Sequence, residues 1–191
     1  MWMGMLPSVI QNNYQLFLQM ATEITHIDYS HMSGGLVRMM DRFKKEGTLI
    51  GTPEEDDYVR EDANAALLGL LYDQRVRAEY AFTGPHRLKE RLGHLDMKKI
   101  AAHDADEFKE IFAEKPAVHR FTNKMADNTQ AVAKMIAEEY GGDASNMWND
   151  GADLKTIQKR VQKLPGFGKG KASKIQYVLH YFGHRDFSDE A

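Results

Sequence analysis

The stretch Leu164-Pro165-Gly166-Phe167-Gly168-Lys169-Gly170-Lys171-Ala172 carries the strongest fold signal in this sequence. It lies between two predicted helices and is called here the hairpin segment (residues 164–172). Its proline ends the first helix, and its first two glycines let the backbone turn tightly with no side chain in the way. The next helix then begins with free N–H groups beside Lys169 and Lys171, an arrangement that binds phosphate.

Basic residues surround the hairpin segment, although the formal net charge of the 191-residue chain is −3. Between Lys155 and Arg185 there are eight Lys and Arg and no Asp or Glu, whereas residues 53–62 hold six acids against one base, Arg60. The field at a contact face depends on local charge, so the hairpin region is predicted to contact a polyanion. A solvated helix face is the alternative interpretation of the same charges.

The composition excludes several classes of protein. The chain is 42% hydrophobic and 10% aromatic, which is not typical of a disordered chain. It contains no Cys, and this excludes disulfides, thiolate nucleophiles, Cys-ligated zinc and iron–sulfur clusters. The eight His show no metal-binding spacing, so no metal site is expected. No apolar run is long enough for a membrane span and the N-terminus does not resemble a secretion signal, so we expect a cytoplasmic, nucleoid-associated protein.

Helical periodicity runs along the whole chain, with no alternating strand pattern, low-complexity tract or internal repeat. The predicted helices are Val9 to Thr25, Leu36 to Phe43, one starting at Thr52-Pro53, Asn64 to Tyr72, one from Gly84-Pro85 to Leu92, Asp96 to Ala102, Asp104 to Ala113, Thr122 to Tyr140, Asp153 to Lys163 and Lys169 to Phe182. The fold class is therefore predicted to be all-α.

The hairpin segment resembles the helix-hairpin-helix of the DNA glycosylase superfamily, in its endonuclease III-like group. Ala66 to Gln74 looks like the early helix of that superfamily, an apolar run ending in a Gln at the DNA interface, and Phe121 to Ala126 looks like its loop-to-helix segment facing the damaged strand. The segments DQRVRAEYAFTGPHRLKERLG, EKPAVHRF and LPGFGKGKA resemble a bacterial HhH-GPD branch of the superfamily.

The resemblance implies a helix-hairpin-helix glycosylase-like bundle and a monofunctional DNA glycosylase of base excision repair, a hydrolase that flips a damaged or deaminated base and cleaves its N-glycosidic bond. A non-catalytic module that binds damaged or distorted DNA is the alternative. Bifunctional relatives use a Lys in the second hairpin helix; the matching position here is Gly170, with Lys171 one step on. A lyase reaction is therefore not expected.

The implied partner is double-stranded DNA with a lesion, bound by a monomer without membrane contact. No cofactor and no iron–sulfur cluster are expected, and a monovalent cation is a candidate ligand of the hairpin. The expected DNA contacts are Gly166, Phe167, Gly168, Lys169, Gly170, Lys171, Gln74, His119, Arg120 and Lys124. An equally good interpretation is that Phe121 packs in the core while His119 and Arg120 are simply exposed on the same loop.

Three Asp side chains are candidates for the carboxylate that stabilises the cationic sugar of the transition state. In the resembling family an Asp follows the hairpin, and the corresponding region here holds Asp186 and Asp189, unless these belong to a solvated tail. The rival is Asp73, which could instead cap a turn. Tyr72, Asp73 and Phe121 are predicted to line the pocket for the flipped base.

Two domains are predicted, an N-terminal helical extension over residues 1–47 that packs on the core and a glycosylase-like domain over residues 48–191. In relatives a second lobe includes helices that follow the catalytic Asp. Residues 1–47 are hypothesised to occupy the space of those helices, and a dimerisation or partner-docking role is the competing hypothesis.

Overall fold

A computed structural model describes residues 24–190, and within them the chain forms only helices and connecting turns. The α-helices are α1 (Gly35–Glu46), α2 (Pro53–Arg60), α3 (Ala63–Tyr72), α4 (Ala78–Leu92), α5 (Met97–Ala102), α6 (Ala105–Ala113), α7 (Thr122–Glu139), α8 (Leu154–Gln162), α9 (Lys169–Ser173) and α10 (Ile175–Tyr181). Two 3₁₀ turns lie at Ala144–Met147 and Ser188–Glu190. The all-α prediction is confirmed for this part of the chain, and the predicted helix Val9 to Thr25 falls almost wholly outside it.

Side-chain caps explain why several helices start where the sequence predicts. The Thr52 hydroxyl accepts the N–H of Glu55 at the start of α2, and Pro53 takes the first helical position. The carboxylates of Asp62, Asp96, Asp104 and Asp153 accept backbone N–H groups at the starts of α3, α5, α6 and α8. These side chains satisfy N–H groups that have no partner inside the helix, which fixes each boundary locally.

The start of α4 was predicted wrongly. The helix begins at Ala78 and continues through Pro85, instead of opening at Gly84-Pro85. A proline in a helix loses one N–H donor but keeps a helical φ, and here packing outweighs that loss. The buried Phe82 ring lies so close to Gly69 of α3 that a Cβ on Gly69 would come within 2.4 Å of it.

The last predicted helix, Lys169 to Phe182, is interrupted at Lys174, which separates α9 from α10. The backbone stays right-handed helical at Lys174, with φ −77° and ψ −11°. The Ser173 hydroxyl donates to the Gly170 carbonyl at 2.7 Å in the short α9. Side-chain bonding to the preceding turn is a known cause of helix bending.

Helix α3 is the centre of the molecule, and its residues from Ala65 to Tyr72 are all buried. It contacts α2, α4, α7 and α10. The chain leaves α3 at Asp73 and reaches the surface only over the next few residues. This places the end of α3 where the hairpin segment also packs.

The described part of the N-terminal extension packs on the core. Ile27 and Tyr29 are buried, and the Tyr181 hydroxyl of α10 exchanges hydrogen bonds with the backbone of Ile27 at 3.2 and 3.1 Å. The following helix α1 buries Leu36, Met39, Met40 and Phe43. Within residues 24–190, no helix is long and apolar enough to cross a membrane.

Candidate functional site

The hairpin segment packs against the end of α3. Gly166 has a left-handed φ of 84°, and a Cβ there would lie 2.7 Å from Leu71 Cδ1 and 3.0 Å from Asn128 Nδ2. Phe167 is 5% exposed and anchors the turn in the core. Gly168 and Gly170 are exposed, and a Cβ on either would meet no atom within 4 Å. The tight turn therefore presents backbone, with Lys169, to solvent.

The Lys171 side chain points into the protein, whereas a phosphate contact would be exposed. Its ammonium is half-buried and donates to the Leu71 carbonyl at 2.8 Å, across 100 residues of sequence. This bond satisfies a carbonyl at the end of α3 and puts a positive charge at the negative end of the helix dipole. Burial lowers the pKa of Lys171, opposed by the nearby Asp73.

Asp73 is half-buried immediately after α3, between charges from three elements. Burial raises its pKa, while Lys174, Lys171 and Arg38 act in the opposite direction and Glu79 reinforces the rise. These neighbours act on the carboxyl through charge, and no hydrogen bond to the Asp73 carboxylate oxygens is found within residues 24–190. A carboxylate of this kind has free oxygen lone pairs for a ligand beside a basic loop.

The Glu79 carboxylate forms an ion pair with two arginines of α1. It accepts from Arg38 at 2.8 and 3.1 Å and from Arg42 at 3.1 Å. Burial alone would raise the pKa of Glu79, but these bonds hold that pKa at about 2. Glu79 is thus already neutralised by partners, in contrast to Asp73.

Asp186 and Asp189 are not brought together with Asp73. The Asp186 side chain is 71% exposed, and its carboxylate accepts the Ser188 N–H at 2.9 Å. The adjacent Glu190 accepts the Leu154 N–H at 3.2 Å, so this tail lies at the start of α8, at the far end from the hairpin turn. Asp189 is exposed in the same 3₁₀ turn.

Tyr72 was predicted to line the base pocket, but the structure places it in the core. The residue is 0% exposed. Its hydroxyl is hydrogen-bonded to Thr129 at 2.9 Å. Burial raises the pKa of Tyr72. A side chain enclosed in this way cannot stack on a base that enters from solvent, so Tyr72 is a core residue supporting the end of α3.

His119 also differs from the expected DNA contact, because its ring is 0% exposed. Its Nε2 lies 3.0 Å from the Tyr72 carbonyl and 3.2 Å from the Gln74 carbonyl, and its Nδ1 accepts the Phe121 N–H at 3.0 Å. Burial lowers the pKa of His119, although both carbonyls favour a protonated Nε2. The ring fastens the turn after α3 to the loop before α7.

The remaining predicted contacts are more accessible than Tyr72 and His119. Arg120 and Lys124 are exposed, while Gln74 and Phe121 are half-buried. The Arg120 guanidinium lies 5.2 Å from the centre of the Phe121 ring. The charge of Lys124 lowers the pKa of Lys171, which places it near the hairpin segment. The sequence interpretation missed Arg38 and the site role of Lys174, because neither belongs to a local motif.

Comparisons with models of known protein families and with curated proteins find no match for this chain. Function is therefore inferred from the geometry of the site. Among residues 24–190, no three His, Asp or Glu side chains form a group suited to a metal ion.

A cavity of about 390 Å³ adjoins Lys174 on the side facing the N-terminal extension. It is lined by His31, Met32, Ser33, Gln158, Ser173, Lys174, Gln176 and Tyr177. The Tyr177 hydroxyl and His31 Nε2 are hydrogen-bonded at 3.1 Å. The cavity therefore offers aromatic rings, amides and the ammonium of Lys174, whose charge also acts on Asp73.

Proposed function

We propose that the protein is a monofunctional DNA glycosylase with a helix-hairpin-helix type of fold. The observation that carries the proposal is the position of Asp73, a half-buried carboxylate beside Lys171 and Lys174 at the base of an exposed, glycine-rich basic turn. A carboxylate in such a place stabilises positive charge that develops on a deoxyribose when its base departs.

The basic surface supports duplex DNA as the partner. Lys155, Lys159 and Lys169 are exposed around a groove of about 300 Å³ between α8 and α9. Exposed lysines of this kind bind the phosphate backbone without reading sequence. The open backbone at Gly168 and Gly170 lets a phosphate approach the turn closely, because neither position carries a side chain.

The cavity beside Lys174 is the proposed receptor for an extruded base. Its volume of about 390 Å³ suffices for a small ligand, and Tyr177 and His31 present aromatic surface while Gln158 and Gln176 carry donors and acceptors. Enzymes that act on a base extrude it from the stack into such a pocket. This proposal places the base pocket between α8, α9, α10 and the N-terminal extension, because Tyr72 is enclosed in the core.

In the proposed reaction, Asp73 acts in its anionic form. The bond between C1′ and the base nitrogen breaks, its electron pair leaves with the base, and the carboxylate stabilises the cationic sugar while water adds to C1′. Water then loses a proton to solvent while the departing base takes up a proton from solvent, and the products are a free base and an abasic site. No amine attack is included, since the Lys171 ammonium is engaged with the Leu71 carbonyl.

One observation favours a non-catalytic DNA-binding module as the second candidate. Asp186 and Asp189 are the acids that follow the hairpin in sequence. They lie on an exposed tail at the start of α8, away from the hairpin turn. Without Asp73, the basic turn would still bind DNA.

The test uses duplex oligonucleotides that contain uracil, hypoxanthine, an oxidised base or an alkylated base, followed by alkali to cleave abasic sites. We expect cleavage of one lesion class by the wild type and its loss in Asp73→Asn, with DNA affinity retained. Asp186→Asn and Asp189→Asn are matched controls that should cleave normally. Salt-sensitive binding without cleavage of any duplex would instead support the binding module.

A further inference from the structure

The backbone around Asp73 forms an inverse γ-turn. Asp73 has φ −73° and ψ 70°, and the Gln74 N–H donates to the Tyr72 carbonyl at 2.7 Å. A turn of this kind contains a single hydrogen bond, so its shape depends on what holds the two flanking carbonyls. The direction in which the Asp73 side chain leaves the chain depends on that shape.

His119 holds both flanking carbonyls with one ring nitrogen. Its Nε2 lies 3.0 Å from the Tyr72 oxygen and 3.2 Å from the Gln74 oxygen, whereas Nδ1 accepts the Phe121 N–H. Because Nδ1 is the acceptor, the proton of the neutral ring must be on Nε2. The ring is wholly buried, so water does not replace these bonds.

We propose that His119 is a positioning residue for Asp73. Its Nε2–H braces the γ-turn and keeps the Asp73 carboxylate in the field of Lys171 and Lys174, while its Nδ1 has the separate task of fixing the loop at Phe121. The catalytic part of this inference rests on the proposed glycosylase function. The structural part, which concerns the environment of Asp73, does not.

Two substitutions separate the two halves of the ring. His119→Gln places an amide N–H near the Nε2 position and preserves the brace, whereas His119→Asn places an amide oxygen near Nδ1 and keeps only the bond to Phe121. The first readout is the pKa of Asp73, followed by carboxyl-carbon NMR in the full chain without DNA. The second is the single-turnover cleavage rate compared with DNA affinity.

We expect His119→Gln to retain the Asp73 titration and the cleavage rate of the wild type. In His119→Asn the Asp73 pKa should move and the cleavage rate should fall about a hundredfold at unchanged DNA affinity, the size of effect produced by a small misplacement of a catalytic group. An Asp73 titration that is the same in the folded Asn variant as in the wild type would overturn the proposal, as would equal shifts in both variants.

A measurement on the wild type covers the case in which a variant does not fold. Nitrogen NMR of the His119 ring reports its tautomer, and the proposal requires a neutral Nε2–H ring at neutral pH. A ring protonated on Nδ1 excludes the proposed brace. If the wild type cleaves no lesion duplex, the glycosylase function fails, while the titration and the tautomer still decide the role of His119.

Discussion

Arg75 has a φ of 53°, a left-handed backbone that residues with a side chain rarely adopt. It lies two residues after Asp73, and its carbonyl accepts from the Arg120 guanidinium at 3.4 Å. Such strain persists only where surrounding contacts impose it, and it concentrates at functional sites. The Arg120 bond to Arg75 and the His119 bond to Gln74 are two such contacts in the link between α3 and α4.

At Gly166, packing and backbone conformation both require glycine. Gly166→Ala is expected to cost about 1–3 kcal/mol, because it forces a side chain into a left-handed conformation. The added Cβ would also press on Leu71 Cδ1, 2.7 Å away. Chemical denaturation of the purified variant measures the loss.

The matched control for Gly166 is Gly170→Ala. A Cβ at Gly170 meets open space, and alanine is favoured over glycine within a helix by about 0.5–1 kcal/mol. This variant should be as stable as the wild type or slightly more so. Equal destabilisation by both substitutions would contradict the packing described for the turn.

Sequence reasoning identified Asp73 as a candidate but could not foresee the burial of His119 and Tyr72. A histidine after a proline in a loop looks exposed in sequence, and only the fold shows that the carbonyls of Tyr72 and Gln74 need its N–H. The signal that could have indicated this is the turn at Asp73 itself, since a buried helix end needs donors for its carbonyls.

At the scale of elements, the Glu79 carboxylate joins α1 to α4. It receives hydrogen bonds from Arg38 and Arg42, and its side chain is 16% exposed. The ion pair therefore connects the N-terminal extension to the part of the molecule that carries Asp73. Gly35 supports the same junction, since a Cβ there would lie 2.9 Å from the Ala78 Cβ.

Glu79→Gln should lower the stability at neutral pH by about 1.5–3 kcal/mol, the range for hydrogen bonds to charged groups. The folded-state pKa of Glu79, about 2, lies below its ordinary value of 4.5, so its stabilisation is present above the ordinary pKa and is lost as the pH falls toward 2. Urea unfolding at a series of pH values measures both proteins. The difference between them should shrink as the pH falls from about 5 to about 2.5, and a constant difference would contradict this origin.

Helix boundaries were predictable where a local side chain sets them, as at Thr52 and Asp153. They were not predictable where tertiary packing decides, as at Pro85, whose helix is supported by Phe82 against Gly69. Propensity assigns a cost to an internal proline, but it contains no information on the neighbour that compensates.

At the scale of the whole molecule, residues 53–62, called here the acidic segment, are not all exposed to solvent. Asp56 is wholly buried and accepts the N–H groups of Leu49 and Ile50 at 2.8 Å each. Arg60, 3.7 Å from Asp56, donates to the Tyr181 carbonyl of α10 at 3.0 Å. Asp56 and Arg60 thus link the loop before α2 to α10. A count of charges in the sequence could not show this link.

The proposed DNA interface predicts a position-dependent effect of removing a positive charge. Lys159→Gln in the groove beside Lys169 should weaken duplex binding and reduce the slope of log K against log salt by about 1. Lys89→Gln makes the same change of charge at an exposed position of α4, near Tyr58 and Asp62. Fluorescence anisotropy over a salt series should show no change of slope for Lys89→Gln, and equal effects of the two variants would argue against the interface.

The bond from Lys171 to the Leu71 carbonyl spans 100 residues, and the His119 bond to Tyr72 spans 47. During synthesis, the end of α3 leaves the ribosome long before the donors that hold it. A nascent chain can acquire most of its helices while the surroundings of Asp73 are still incomplete, because contacts between distant residues form only after the chain has closed large loops. The carboxylate thus acquires Lys171 and Lys174 only when that part of the chain has been made, so an unfinished polypeptide holds no assembled centre.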